Sequence, residues 1–144
     1  FELFPVGRLD IDTEGLCILT NDGELSHKLL SPKNHISKKY RAKLDAVPKD
    51  DELEKIRNGI ILEDGYKCKP AIVTFDVENE AFYITIYEGK YHQVKRMFAA
   101  LGCEVVSLKR ICMGDLPLDE KLVPGECKYL SDEEISKIKN MQKL

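Results

Sequence analysis

The segment 81–87 (AFYITIY) constrains the fold most. Phe82, Ile84 and Ile86 alternate with Tyr83, Thr85 and Tyr87, so one face of a strand is wholly apolar. Such a strand is stable only when other strands flank it and something covers its apolar face. Asn79-Glu80 ahead of it reads as a turn. Before that turn, 60–62, Asp64-Gly65 and 69–77 read as strand, turn and strand. The segment 39–44 (KYRAKL) also alternates, with Tyr40, Ala42 and Leu44 on one face and basic groups on the other. The segment 104–111 (EVVSLKRI) reads as a further strand. The apolar run 15–20 (GLCILT) reads as a buried strand ended by a tight turn at Asn21-Asp22-Gly23.

Helical spacing appears in four places. Residues 24–30 form a short helix stopped by Ser31-Pro32. Residues 50–58 start with acids, turn Leu53 and Ile56 inward and end at Gly59 as C-cap. In 92–101 (HQVKRMFAAL), Val94, Phe98 and Leu101 share an inner face, which leaves Lys95 and Arg96 for a cleft or for solvent. Ser131 and Glu134 make a capping box that opens an amphipathic helix over 131–143. The expected architecture is α+β: one domain over 1–144, with strands mostly joined by turns and helices packed on one face.

Several classes fall away. No run of 18 apolar residues exists, so no helical membrane span is expected. The opening FELFPVGRLD has neither a basic nor an apolar signal region. The chain begins without Met on an apolar stretch, as a fragment or processed chain would. Five cysteines, an odd number without CxxC spacing, read as free buried thiols in a reducing, cytoplasmic setting, and give no pairs for zinc.

The net charge of −3 hides a segregation. Residues 28–43 carry six basic groups (Lys28, Lys33, Lys38, Lys39, Arg41, Lys43) and no acid. Residues 89–110 carry five (Lys90, Lys95, Arg96, Lys109, Arg110) against Glu104 alone. Two basic segments on an acidic body suit a polyanion held through its phosphates, or a merely solvated basic face.

The densest polar cluster is GRLDIDTEG at 7–15, with Arg8, Asp10, Asp12, Thr13 and Glu14 at the mouth of an apolar strand. A carboxylate there, with cations supplied from elsewhere, can serve as nucleophile or base. A calcium loop is the second reading, since Asp10, Asp12 and Glu14-Gly15 mimic the opening of an EF-hand. Its twelfth position would be Asn21, which lacks the required bidentate carboxylate. A turn whose Asx side chains cap backbone groups is the third reading, and spacing alone favours it.

Four words decide among these. GRLDIDTEGL, then LTNDGELSHKLLSP, KKYRAKL and EGKYHQVKRMFAALG, run in order. Together they resemble the ribosomal small subunit pseudouridine synthases (the RsuA family), from Gly7 to about Glu134. The resemblance implies a pseudouridine synthase fold, a mixed and largely antiparallel sheet with a central RNA-binding cleft. It implies isomerisation of a uridine in small-subunit (16S) ribosomal RNA, free or in a ribosomal subunit precursor, by a monomer without membrane attachment. It places the catalytic aspartate at Asp10, the active-site tyrosine at Tyr40 and the basic partner at Lys95. Many relatives have Arg at that last position; Lys keeps the charge but loses the bidentate fork. Relatives also carry an N-terminal S4-type domain and first strands, which implies that this chain is a catalytic-domain fragment. A large-subunit (23S) paralogue, a non-catalytic RNA-binding assembly factor and the calcium module remain the alternatives.

The implied reaction detaches uracil from C1′ and rejoins it through C5, with no redox change, so no cofactor and no metal is expected. Asp10 must stay ionised, with Lys95 outweighing the cost of desolvation. Tyr40 can stack on the base or pass a proton. Arg8 would prop the gap left by the extruded base. Lys38, Lys39, Arg41, Lys43, Lys90, Arg96, Lys109 and Arg110 would hold phosphates, about half of them idly facing solvent. His92 is expected to be structural.

Overall fold

The computed structural model describes residues 2–141. Its elements are β1 (Phe4–Pro5), β2 (Glu14–Gly15), β3 (Leu19–Thr20), α1 (Gly23–Leu30), β4 (Lys38–Leu44), α2 (Asp50–Arg57), β5 (Ile72–Asp76), β6 (Ala81–Ile86), α3 (Gln93–Ala99), β7 (Val105–Met113), β8 (Leu116–Pro117) and α4 (Asp132–Lys139). The main sheet has the order β2-β7-β4-β6-β5, with β8 also paired to β7. Only β2–β7 is parallel in it; the other pairs are antiparallel. β1 and β3 make a separate two-stranded pair. The expected α+β class and mixed, largely antiparallel sheet are therefore present.

Ladder register shows which residues share a face. Phe82, Ile84 and Ile86 of β6 stand opposite Ala42, Tyr40 and Lys38 of β4, and Phe75 and Val73 of β5 flank Phe82 and Ile84. On the far side of β4, Leu108 and Arg110 pair with Ala42 and Tyr40. This face is covered by Leu53 and Ile56 of α2 and by Val94, Met97 and Phe98 of α3, in one core with Phe82 and Ile84. Phe82, Ile84, Met97 and Phe98 are essentially solvent-free, and each such side chain contributes about 1.5–3 kcal/mol by burial. A second core, around Leu29, Ile36, Met113, Leu116 and Ile138, holds α1 and α4. The reverse face of the sheet carries Lys39, Arg41, Lys43 and Lys109 with Tyr83 and Thr85. Lys39 lies over the Tyr83 ring there.

The structure departs from the sequence expectations in five places. The run 15–20 is not one strand. Gly15 takes φ +114°, Leu16 N–H donates to the Arg110 carbonyl at 2.8 Å, and Val6 N–H takes the Ile18 carbonyl at 2.7 Å. The chain thus changes sheets between β2 and β3. Asn21-Asp22-Gly23 is not a tight turn; Asp22 caps α1 by accepting from Leu25 N–H at 3.1 Å. Residues 60–69 form only the bridge Ile61–Lys67, because Lys69 N–H goes to Glu88 and Pro70 has none to give; β5 starts at Ile72. The cysteines are not all buried, since Cys17 and Cys127 are exposed. The capping box opens α4 as expected, with Glu134 N–H on Ser131 Oγ at 3.2 Å. That helix ends at Lys139, and the rest of its expected span past Met141, residues 142–143, lies outside the described residues.

Among the described residues no helix is long and apolar enough to cross a membrane. None of their His, Cys, Asp and Glu side chains gather as three or more potential metal ligands.

Candidate active site

Between β1 and β2 the polar cluster makes a turn, closed by Thr13 N–H on the Asp10 carbonyl at 2.9 Å. Ile11 at its tip is fully exposed, while the Asp10 side chain is turned in and only 25% exposed. Its carboxylate meets the start of α3. Oδ1 stands 3.5 Å from His92 Nε2, and Oδ2 stands 3.8 Å from Lys95 Nζ. The Lys95 ammonium is shared, because its nearer partner is the exposed Asp12 carboxylate. That ammonium holds the Asp12 carboxyl below the usual carboxylate range.

Asp10 opens onto a cavity of about 290 Å³, at the small end for ligand sites (about 300–1,000 Å³) and suited to a single nucleoside. Tyr40 lines it from β4. Burial pushes the Tyr40 hydroxyl above the ordinary tyrosine value; the Arg110 guanidinium opposes that shift and the Asp10 charge adds to it. Asp10, Tyr40 and Lys95, each expected from the resemblance, are therefore brought to one place.

The far wall is a hydrogen-bonded network that sequence reasoning missed. Glu88 is 7% exposed and accepts from the Tyr66 hydroxyl. It also accepts from Lys69 N–H at 2.7 Å and Gln93 Nε2 at 2.9 Å. Gln93 Oε1 in turn accepts from Lys90 N–H at 2.9 Å. These bonds tie the loop after β6 to the first turn of α3 and so aim His92 and Lys95 at Asp10. The hydrogen bond to Glu88, with burial behind it, pushes the Tyr66 hydroxyl up to about 12. The only sequence signal was Gln93 itself, a polar residue beside the inward-facing Val94. His92, expected to be structural, is at once the residue before α3, in a left-handed conformation (φ 47°), and a neighbour of the Asp10 carboxylate.

The expected basic contacts divide into three groups. Arg8, Lys38, Lys90 and Arg110 line the cavity. Lys39, Arg41, Lys43 and Lys109 are on the reverse face of the sheet, because alternation turns them away from Tyr40. Arg96 is held by Glu63 at 2.7 Å, Asp64 at 2.8 Å and the Tyr91 carbonyl at 2.9 Å, so each of its three nitrogens already donates within the protein and its charge is paired with two carboxylates. Arg110 is not a surface cation at all: it is 2% exposed and donates through Nε to the Leu16 carbonyl at 2.9 Å. Among the described residues, two buried side-chain polar atoms lack a partner, Thr13 Oγ1 and Arg110 Nη2. Both residues line this cavity.

A half-buried carboxylate beside cations and a tyrosine, in a nucleoside-sized cavity with a basic rim, defines a nucleic-acid-modifying class of site. Comparison with known proteins narrows it. Residues 1–100 match the family model described as RNA pseudouridylate synthase, and the chain belongs to that family. It is 51% identical over 138 residues to the RNA pseudouridine synthase YtzG of Bacillus subtilis, covering 94% of this chain and 58% of that protein. It is 47% identical over 141 residues to the ribosomal small subunit pseudouridine synthase A of Vibrio vulnificus, covering 95% and 60%. A crystal structure of a pseudouridylate synthase superposes with a TM-score of 0.89 at 44% identity, over 94% of this chain and 59% of that one. The chain thus spans about three-fifths of the length of the relatives it matches.

Proposed function

We propose that this chain carries the catalytic site of an enzyme that converts a uridine of small-subunit ribosomal RNA to pseudouridine. The observation that carries the reading is the Asp10 carboxylate, set between His92 and Lys95 at the mouth of a cavity lined by Tyr40. Similarity to a small subunit pseudouridine synthase at 47% identity supports the choice of RNA. The RNA is met free or within a subunit precursor in the cytoplasm, by one copy of the protein.

A uridine in folded RNA is stacked, so it must be extruded, at a cost of a few kcal/mol. Exposed Arg8 and Lys90 at the cavity rim hold the flanking phosphates. Asp10 then attacks C1′, adds to C6 or removes the C2′ proton. In every route the C1′–N1 bond breaks, the base turns, and C5 bonds to C1′. C5 loses its proton and N1 gains one, so the sum is an isomerisation without a co-reactant. Lys95 Nζ, 3.8 Å from Asp10 Oδ2, sets a positive charge beside the attacking carboxylate. Tyr40 stays protonated at neutral pH, since its hydroxyl sits above the ordinary value. It serves the turning base as a neutral aromatic wall and a proton carrier.

The test is Asp10→Asn in the full-length protein, given a small-subunit ribosomal RNA transcript with tritium at uridine C5. Wild type releases tritium. The variant binds the transcript with a Kd within about twofold and releases none, and unchanged release would remove Asp10 from the mechanism.

A further inference from the structure

Arg110 Nη2 is buried, lines the cavity and has no hydrogen-bond partner among the described residues. Leaving a guanidinium N–H unpaired in a protein interior is costly unless a ligand supplies the acceptor. Arg110 is held in this position by its backbone and side chain together. Its carbonyl accepts from Leu16 N–H, and its Nε donates to the Leu16 carbonyl. The donor is thus fixed before any ligand arrives.

A second cation faces the same space. Lys38 and Tyr40 have the same parity on β4, and the ladder places Arg110 beside Tyr40. Lys38 lines the cavity, and the described residues give its ammonium no salt bridge. Burial, and then the Arg110 charge, hold the Lys38 ammonium below the ordinary lysine value. The nearby carboxylate of Glu88 is already occupied by Tyr66, Lys69 N–H and Gln93. Two desolvated positive groups therefore share the cavity onto which Asp10 opens.

The chemistry names what they face. If Asp10 attacks C1′ or takes the C2′ proton, the C1′–N1 electrons leave with the base. The resulting uracil anion spreads its charge over N1, O2 and O4. If Asp10 adds to C6, the C5–C6 electron pair moves toward C5 and O4. Each route builds negative charge on the carbonyl oxygens of the base, where fixed donors in a dry site act most strongly. A backbone phosphate is the poorer occupant for Arg110, which is 2% exposed, while Arg8 and Lys90 at the rim are open to solvent.

We infer that Arg110 and Lys38 form the subsite that receives the carbonyl oxygens of the target uracil as the glycosidic bond is broken, holding the detached base in place while it turns. This inference rests on the isomerase reading above.

The experiment is single-turnover tritium release at saturating full-length enzyme, from the same C5-tritiated small-subunit transcript, with RNA affinity measured in parallel across salt concentrations. Lys38→Met and Arg110→Gln are each expected to slow release by about 10²-fold, as loss of one oxyanion donor does. Their RNA Kd and its salt dependence stay at the wild-type values, and Lys38→Arg and Arg110→Lys recover part of the rate. Because Arg110 also ties β7 to Leu16, thermal melting is recorded for each variant, and Lys38→Met decides if Arg110→Gln does not fold. An unchanged release rate in Lys38→Met overturns the inference. So does weakened RNA binding with a shallower salt slope at an unchanged saturated rate, which marks a phosphate contact. A wild-type enzyme that releases no tritium overturns the isomerase reading and this inference with it.

Discussion

Lys95 Nζ stands 3.8 Å from Asp10 Oδ2 while pairing more closely with Asp12. One ammonium therefore serves two carboxylates, one turned into the cavity and one exposed. Lys95→Met is expected to lower the saturated isomerisation rate by about 10²-fold, the scale for loss of one electrostatic partner. Lys95→Arg retains most of the rate, because the charge is kept. Asp12→Asn leaves the rate within about tenfold, since it removes a competitor for Lys95 and not the reacting group. Single-turnover kinetics on all three variants checks the order.

The same pair gives a pH signature. The Asp12 carboxyl is lowered from 3.8 in the folded state. Its stabilising contribution is therefore present above that value and is lost as pH falls through the lower folded value. Wild type and Asp12→Asn are expected to differ in Tm near neutrality and to converge below the ordinary aspartate range. Thermal melts across acidic pH check this, and a difference that widens on acidification would contradict the assignment.

Tyr66 and Glu88 give the opposite sign. The Tyr66 hydroxyl rises from 10 to about 12 because it donates to the Glu88 carboxylate. Its contribution is whole below pH 10 and is lost as pH rises to about 12. Ultraviolet titration is expected to show one tyrosine ionising near that upper value and to lose it in Tyr66→Phe. Glu88→Ala strips the acceptor from Tyr66, Lys69 N–H and Gln93. The expected cost is about 1–3 kcal/mol for each donor left buried without a partner, read by chemical denaturation.

Gly15 controls the site from behind. At φ +114° its missing Cβ would sit against the Arg110 backbone, closer than real Cβ atoms come. Gly15→Ala is expected to destabilise by at least about 1–3 kcal/mol through backbone strain. It is also expected to slow isomerisation by displacing Arg110. Denaturation and single-turnover rates on one preparation check both effects.

Salt dependence separates the two faces of the sheet. Arg8→Ala and Lys90→Ala at the cavity rim are each expected to lower the slope of log K against log salt by about one. Lys39→Ala and Lys43→Ala on the reverse face leave it unchanged. Equal effects from all four would mean that RNA reaches around the sheet.

Much of this was legible before any coordinates. The alternation of 81–87 and 39–44 marks β6 and β4, because a half-buried strand must alternate with period two. Acidic starts and caps mark α2 and α4. The resemblance singles out Asp10 and Tyr40, which line the cavity, and Lys95, which pairs with Asp10 beside it. The break between β2 and β3 was not legible, because an apolar run does not say which sheet each half joins. The Glu88 network was also hidden, since its partners lie at 66, 69 and 93 and no local spacing links them.

The amino-acid sequence alone determined the strand parity that turns Lys39, Arg41 and Lys43 away from Tyr40, because alternation is a property of a single strand. Only the tertiary structure decided that Arg110 joins Tyr40. Lys38 and Lys39 pair with Met113 and Cys112, but Tyr40 pairs with Arg110, so one residue, Ile111, is absorbed in a bulge. Without that shift Tyr40 would face Ile111, and Arg110 would point out of the opposite side of the sheet. A bulge belongs to the pairing of two strands, and neither strand specifies it alone.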